Sequence, residues 1–239
     1  MTKKIVYKII SNSVKFEQNL EALIYITKDV LMLREKKLNS VDEAIETAII
    51  SETYDIGESD KEVDSIVSYI IDENPKALKD NNIYAHKFDF LFFNSIFINI
   101  FSLFEIYLNN LGKLCEEFEK NNIKIKDLKG DSTIDTIRKY FHLIFKIDSA
   151  SKTEVLWKQI NEYKSIRNSI VHKGNKLNLD KNKNYKSVKG FSKIKQHKIK
   201  YYGVEMNFEL NNIEIIIDFK NVCEKYLRRL TKEIKKNYS

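Results

Sequence analysis

Phe88-Asp89-Phe90-Leu91-Phe92-Phe93-Asn94-Ser95-Ile96-Phe97-Ile98-Asn99-Ile100-Phe101-Ser102-Leu103-Phe104-Glu105-Ile106-Tyr107-Leu108 is the most apolar stretch of the chain, and its reading decides the fold. A membrane-spanning helix needs about 20 mostly apolar residues. Here the charge-free part, Phe90 to Phe104, is shorter, and Asp89, Asn94, Asn99 and Glu105 interrupt the whole. The stretch therefore reads as the core helix of a helical protein, extending over about 84–120, and no membrane association is expected.

The rest of the chain supports a mainly α architecture. One Pro and six Gly in 239 residues leave few obligatory breaks, and 43% hydrophobic residues suffice for a sizeable core. Upstream, Phe16, Leu20, Leu23, Ile24, Val30 and Leu33 form a helical stripe over 14–37. Ser40 and Glu43 have the spacing of a capping box, which predicts a second helix start. Val63, Ile66, Val67 and Ile70 suggest a helix over 60–72 that Asn74-Pro75 ends. Pro75 is thus the expected boundary between an acidic N-terminal helical extension, 1–75, and a main domain, 76–239. Downstream, helices are predicted over 132–147, where Asp131 or Ser132 can cap, and over 152–173, where Gly174 supplies a stop.

From about 174 to 217 an insertion is expected. Its first part, Lys173 to Lys200, has little periodicity and reads as a loop. Val204, Met206, Phe208 and Leu210 then alternate with polar residues as in a strand. Asn211-Asn212 can turn the chain, and Ile213, Ile215 and Ile217 suit a returning strand. A basic amphipathic helix over about 219–237 follows.

Charge is segregated along the chain. Between His172 and Tyr202 ten lysines face the single acid Asp180; between Leu38 and Pro75 eleven acids face only Lys61. With a formal net charge of +7, the balance suits an anionic partner. Cys115 and Cys223 are far apart, which argues against a zinc knuckle or a disulfide framework; with a weakly apolar N-terminus, a reducing cytoplasm is expected.

Several enzyme classes lack their motifs. The chain has no G-x-x-x-x-G-K-[ST], no G-x-G-x-x-G, no H-E-x-x-H and no G-x-S-x-G. His86, His142, His172 and His197 have no metal-ligand spacing, and neither metal nor cofactor is expected. What remains is Arg167-Asn168-Ser169-Ile170-Val171-His172 at a helix end. Arginine presents a planar fork of donors suited to a phosphate and to charge growing on it. A histidine side chain takes or gives a proton near neutral pH. Asn168 and His172 share a helical face, so the amide can orient the imidazole or bind a phosphate oxygen. Arg167 and His172 lie about 140° apart on an ideal helix, so a looser last turn, or two copies of the helix meeting across a dimer, would help to bring them to one atom. Arg and His near a helix C-terminus also suit its dipole, so a capping arrangement remains the alternative.

The segment Ile160-Asn161-Glu162-Tyr163-Lys164-Ser165-Ile166-Arg167-Asn168-Ser169-Ile170-Val171-His172-Lys173-Gly174 resembles the signature helix of HEPN domains: Arg, a polar residue, then His after four to six positions. The helix around Leu103-Phe104-Glu105-Ile106-Tyr107-Leu108 is similar to the family's long first helix. The resemblance spans roughly 84–237. It implies a HEPN-like antiparallel helical bundle, here with a β-hairpin insertion and an N-terminal extension, that homodimerises through its motif helices. It also implies metal-independent endoribonuclease activity, in which the 2′-OH attacks the adjacent phosphorus to leave a 2′,3′-cyclic phosphate. Arg167 would stabilise the phosphorane, His172 would act as acid or base, and Asn168 would assist. Glu105 is a candidate partner for Arg167. Lys173, Lys176, Lys181, Lys183 and Lys186 are candidate RNA contacts, with Tyr185, Phe191, Tyr201 and Tyr202 available for stacking. Many family members are toxins or antiphage abortive-infection effectors, which implies a trigger protein or antitoxin. The alternative is a catalytically inactive module that binds RNA or a partner protein. Gly174 stands where one toxin branch carries a Tyr, which argues against regulation by nucleotide transfer onto it.

Overall fold

A computed structural model of the chain describes residues 2–54, 75–118, 123–177, 188–203 and 206–237. It is mainly helical: α1 (Thr2–Tyr54), α2 (Pro75–Phe118), α3 (Thr133–Leu143), α4 (Val155–Lys173), α5 (Phe191–Gln196), β1 (Lys200–Tyr202), β2 (Asn207–Glu209) and α6 (Glu214–Asn237). Contacts divide the chain into two compact units, one of Met1–Ile24 with Phe93–Ser239, the other Tyr25–Phe92. These units cut the chain elsewhere than at Pro75. The reason lies in the N-terminal stripe: Ile5, Ile9, Phe16 and Leu20 are buried among the core side chains. Pro75 itself opens α2, where a missing N–H costs no helical bond. The backbone of α1 runs on through Ser40, so that residue is not a helix start. The expected helix over 60–72 lies outside the described residues.

In the larger unit, α1 and α2 run in opposite directions. Lys8 approaches Glu117 at 3.8 Å, and Asn12 Nδ2 donates to the Tyr107 carbonyl at 3.2 Å. Asn19 donates to the Tyr107 hydroxyl at 2.7 Å, and Phe16 meets the same ring edge-on. In the smaller unit Arg34 pairs with Asp89 at 2.9 Å, and Phe88 stacks on Phe92.

The apolar stretch of α2 supplies the core of the larger unit. Lys87–Glu117 is long and apolar enough to cross a membrane by length and composition, and half of its most apolar window is buried inside the protein. Phe97, Phe101, Phe104 and Leu108, at spacings of three and four, form the inward face. Phe219 of α6 stacks on Phe97 and Phe101 at 5.0 and 5.8 Å, and Tyr163 of α4 lies 4.6 Å from Phe219. Each aromatic pair adds about 0.5–1.5 kcal/mol beyond its burial. α4 and α6 run in opposite directions, as the pairs Glu154–Arg229 and Tyr163–Asp218 require.

Two sequence expectations fail at the insertion. The lysine-rich segment is not all loop, because Phe191–Gln196 is the short helix α5. The hairpin pairs β1 with β2 in the register Lys200↔Glu209, Tyr201↔Phe208 and Tyr202↔Asn207. Residues 213–217 do not return as a strand; α6 begins at Glu214. Two patterns compete there. The alternation of Ile213, Ile215 and Ile217 is short, whereas Ile215, Ile216, Phe219, Val222, Cys223 and Tyr226 form a buried helical stripe about three turns long. The longer pattern buries more apolar area and wins. Asn212 is therefore no hairpin turn. Its Oδ1 accepts from the Ile215 N–H at 3.4 Å, and its Nδ2 donates to the His197 carbonyl at 3.0 Å.

Gly190 fastens this segment to α4. Its φ is +90°, and a Cβ there would lie 2.9 Å from Ile166 Cγ1 and 3.0 Å from the Glu162 carbonyl oxygen. Gly190→Ala combines left-handed strain with a clash against backbone, and we expect a loss of about 2–4 kcal/mol. Gly174→Ala meets open space at φ +56° and should cost only about 1 kcal/mol. Urea unfolding of both variants checks this; equal midpoints would refute the close packing of 190 on α4.

Candidate functional site at the end of helix α4

The motif helix is defined at both ends by its own sequence. Glu154 is the N-cap, and its carboxylate accepts from the Trp157 N–H at 2.9 Å. Trp157, Ile160, Tyr163, Ile166 and Ser169 form the buried face. Gly174, at φ 56° and ψ 47°, ends the helix in the left-handed conformation, as its sequence position predicts. The Asn175 N–H then closes back on the Ser169 carbonyl at 3.0 Å.

Beyond Gly174 the chain is clamped. Asn175 is buried at φ 63°. Its side-chain amide exchanges two hydrogen bonds with that of Asn94 on α2, each 3.2 Å. Its carbonyl accepts from the Phe208 N–H at 3.0 Å, and Leu177 N–H reaches the Met206 carbonyl at 3.2 Å. The last turn of α4 is thus tied to α2 and to β2.

On this turn the expected site residues lie as follows. Arg167 is half-buried, with its guanidinium 5.6 Å from the centre of the Phe101 ring. Its Nη1 donates to Asn168 Oδ1 at 3.2 Å, and its buried Nε has no hydrogen-bond partner. His172 is exposed and makes no hydrogen bond or ion pair among the described residues. Lys173 and Lys176 are also exposed at this end. Lys181, Lys183, Lys186 and Tyr185 lie outside the described residues. The structure joins Arg167 to Asn168, but not Arg167 to Glu105: no ion pair links those two, and the Phe101 ring occupies the guanidinium's inner face instead. Phe191 packs edge-on against Tyr201 at 5.5 Å, while the Tyr202 hydroxyl donates to Glu209.

Two features escape a reading of the sequence. The first is a cleft of 580 Å³ along the outer face of α4, reaching Asn168. Its floor includes Trp157, Asn161 and Ser165, and Lys152, Lys158 and Lys189 stand around it. Behind it Arg138 is buried, donating to Asp135 at 3.0 Å and to the Ala150 carbonyl at 2.7 Å, with its guanidinium over Trp157. Burial alone would raise the Asp135 carboxyl. The hydrogen bonds from Arg138 and the Asp131 backbone, with the charges of Arg138 and Lys139, outweigh it and hold the carboxyl below the usual range.

The second is a cluster on Asp218. One carboxylate oxygen accepts from the Tyr163 hydroxyl, from Lys193 Nζ at 2.9 Å and faces His197 Nε2 at 3.2 Å. Lys193 is almost fully buried and also lies 5.1 Å from the Tyr163 ring centre. Desolvation would raise the Asp218 carboxyl, but its three donors lower it below the usual range. Burial, and then the bond to Asp218, push the Tyr163 hydroxyl well above its ordinary value. The only sequence signal for this cluster was Lys193 among nine other lysines, which pointed to solvent. Among the described residues no group of His, Cys, Asp and Glu is arranged to hold a metal ion. Comparison with protein-family models, with curated proteins and with solved structures finds no match to this chain.

Proposed function

We propose that the chain is a HEPN-type endoribonuclease that cleaves RNA without a metal ion, acting as a homodimer through its α4 helices. The observation that carries this reading is the state of Arg167 and His172. The Asn175 N–H satisfies the Ser169 carbonyl, and among the described residues neither Arg167 nor His172 donates to a carbonyl of the last turn of α4. Arg167 is held by Asn168 and Phe101, its buried Nε–H without a partner, and His172 stands in solvent five residues on. A polarising cation and an open imidazole, brought to one phosphate, are what phosphodiester transfer by a 2′-OH requires.

In this scheme the 2′-oxygen bonds to the adjacent phosphorus and the bond to the 5′-oxygen breaks. The 2′ proton goes to a base and a proton returns to the leaving oxygen. His172 supplies the proton transfers and Arg167 the charge stabilisation. Because the two diverge by about 140° on one helix, a second α4 related by a twofold axis completes the site. A toxin restrained by an antitoxin, or an antiphage effector released by a trigger protein, fits such a cytoplasmic activity.

Purified protein is expected to cleave single-stranded RNA in excess EDTA, leaving 2′,3′-cyclic phosphate and 5′-OH ends, and to sediment as a dimer. RNA binding with steep salt dependence but no cleavage would instead identify a catalytically inactive module. A monomer without RNA affinity would return Arg167 and His172 to a purely structural role.

A further inference from the structure

The ribonuclease reading places a reacting phosphate near His172 but says nothing of where the rest of the strand lies. Helical arithmetic on α4 does. Lys158, Asn161, Ser165, Asn168 and His172 fall within an arc of about 80°, forming one polar stripe about 21 Å long. The first four of these line the cleft beside α4, and His172 continues the stripe one turn beyond it. The cleft and the proposed reaction centre therefore share Asn168, which also holds Arg167.

The cleft has the chemistry of a strand-binding track. Lys152, Lys158 and Lys189 are exposed at its edges, and Lys164 is held to Ser132 Oγ at 2.7 Å. Three acids line it too, and two hold bonds of their own. Asp135 is paired with Arg138 at 3.0 Å and Lys139 at 3.6 Å. Glu162 accepts from Ser192 Oγ at 2.6 Å. That bond leaves the Glu162 charge in place, so Asp131 and Glu162 stand against four lysines. Asn161, Ser165 and Asn168 add neutral donors and acceptors along the floor. The volume lies within the range of about 300–1,000 Å³ typical of small-ligand sites, room for a nucleotide or two of one strand and too little for a duplex.

One edge of the cleft is built by the insertion. Gly190 packs on Ile166 and the Glu162 carbonyl, and the Lys193–Asp218 bond secures the turn that follows. Together they hold Lys189 at the cleft that Lys158 also lines.

We propose that this cleft is the subsite for single-stranded RNA flanking the scissile phosphate, with Lys152, Lys158 and Lys189 on the phosphates and the α4 stripe leading the strand to His172. The proposal rests on the ribonuclease reading for its direction, but binding tests it separately from cleavage.

The experiment uses the full chain carrying His172→Ala, so that the strand persists, and a short fluorescent single-stranded RNA titrated at several salt concentrations. The variant Lys152→Gln, Lys158→Gln, Lys189→Gln is compared with Lys225→Gln, Lys232→Gln, Lys236→Gln, which removes the same charge from exposed positions of α6. The cleft variant is expected to bind at least about tenfold more weakly, with a salt slope shallower by about two, near 0.7 for each lost phosphate contact. The α6 variant should stay within about twofold of the parent, as rim-exposed charge away from the track. Equal losses in the two variants overturn the subsite, as does the absence of any RNA binding by the parent. Loss of binding in the cleft variant, alongside a chain with His172 intact that cleaves nothing, sinks the ribonuclease reading and leaves an RNA-binding cleft standing. Undiminished binding alongside efficient cleavage does the reverse.

Discussion

His172→Ala is expected to reduce RNA cleavage by about 10²–10⁴-fold, the range for a lost proton-transfer group, with thermal stability nearly unchanged. The second half follows from exposure: His172 touches nothing among the described residues that its removal would leave unpaired. Surface changes of this kind shift stability by less than about 0.5 kcal/mol. Arg167→Lys extends the test. Lysine keeps the charge but cannot present a planar fork, cannot stack in the same way on Phe101 and cannot serve Asn168 and a phosphate together. Cleavage should therefore stay low in Arg167→Lys while the fold persists, at a cost of no more than about 2 kcal/mol of cation–π contact. Asn168→Ala should fall between, lowering kcat because Arg167 loses its tether. Single-turnover cleavage of an end-labelled RNA, read beside a melting curve for each variant, measures all three. If His172→Ala and Arg167→Lys remain folded and cleave at the parental rate, the proposed chemistry is wrong.

Asp218→Ala carries the largest expected effect on stability. It leaves Lys193 as a buried cation without its partner and removes the acceptor of the Tyr163 hydroxyl. Breaking one side of a fully buried pair costs about 3–5 kcal/mol, mostly the penalty of the stranded charge, and the partial exposure of Asp218 places this pair toward the lower end. The cost follows from that geometry, and a second change tests it. Lys193→Met in the Asp218→Ala background removes the stranded charge and should recover a substantial part of the loss. Urea midpoints of the two variants decide the matter, and a double variant no more stable than Asp218→Ala would refute the account. The acid limb gives an independent reading. A carboxyl depressed in the folded state contributes stability that is complete above its unfolded value, about 3.9, and that is lost as pH falls through the folded value. Asp218→Ala should thus flatten the stability curve below about pH 4. Asp135 is depressed in the same direction, so part of the acid limb persists.

The helical character and the motif helix were legible because long patterns dominate short ones. The apolar run of α2, the stripe of α4 and the Gly174 stop each combine several residues with one physical cause. The insertion was not, and the reason is specific. Lysine usually marks solvent, so Lys193 read as one more surface charge; only the fold brings it to Asp218, 25 positions away. Three isoleucines at alternate positions imitated a strand over the start of α6 because a helical stripe also permits that spacing locally. The cleft on α4 was invisible for another reason. Its lysines come from three separate segments, and no single window of sequence contains Lys152, Lys158 and Lys189 as a pattern.

The amide clasp between Asn94 and Asn175 implies a rule of inheritance. Each amide offers one donor to the other's acceptor, so neither residue can be exchanged alone for Asp or an apolar residue without losing at least one of the two bonds. Asp at either place sets two acceptors face to face, and Leu strands the remaining amide. Drift in descendants of this chain is therefore expected to pass through paired changes. Two sites 81 positions apart would be inherited as one trait.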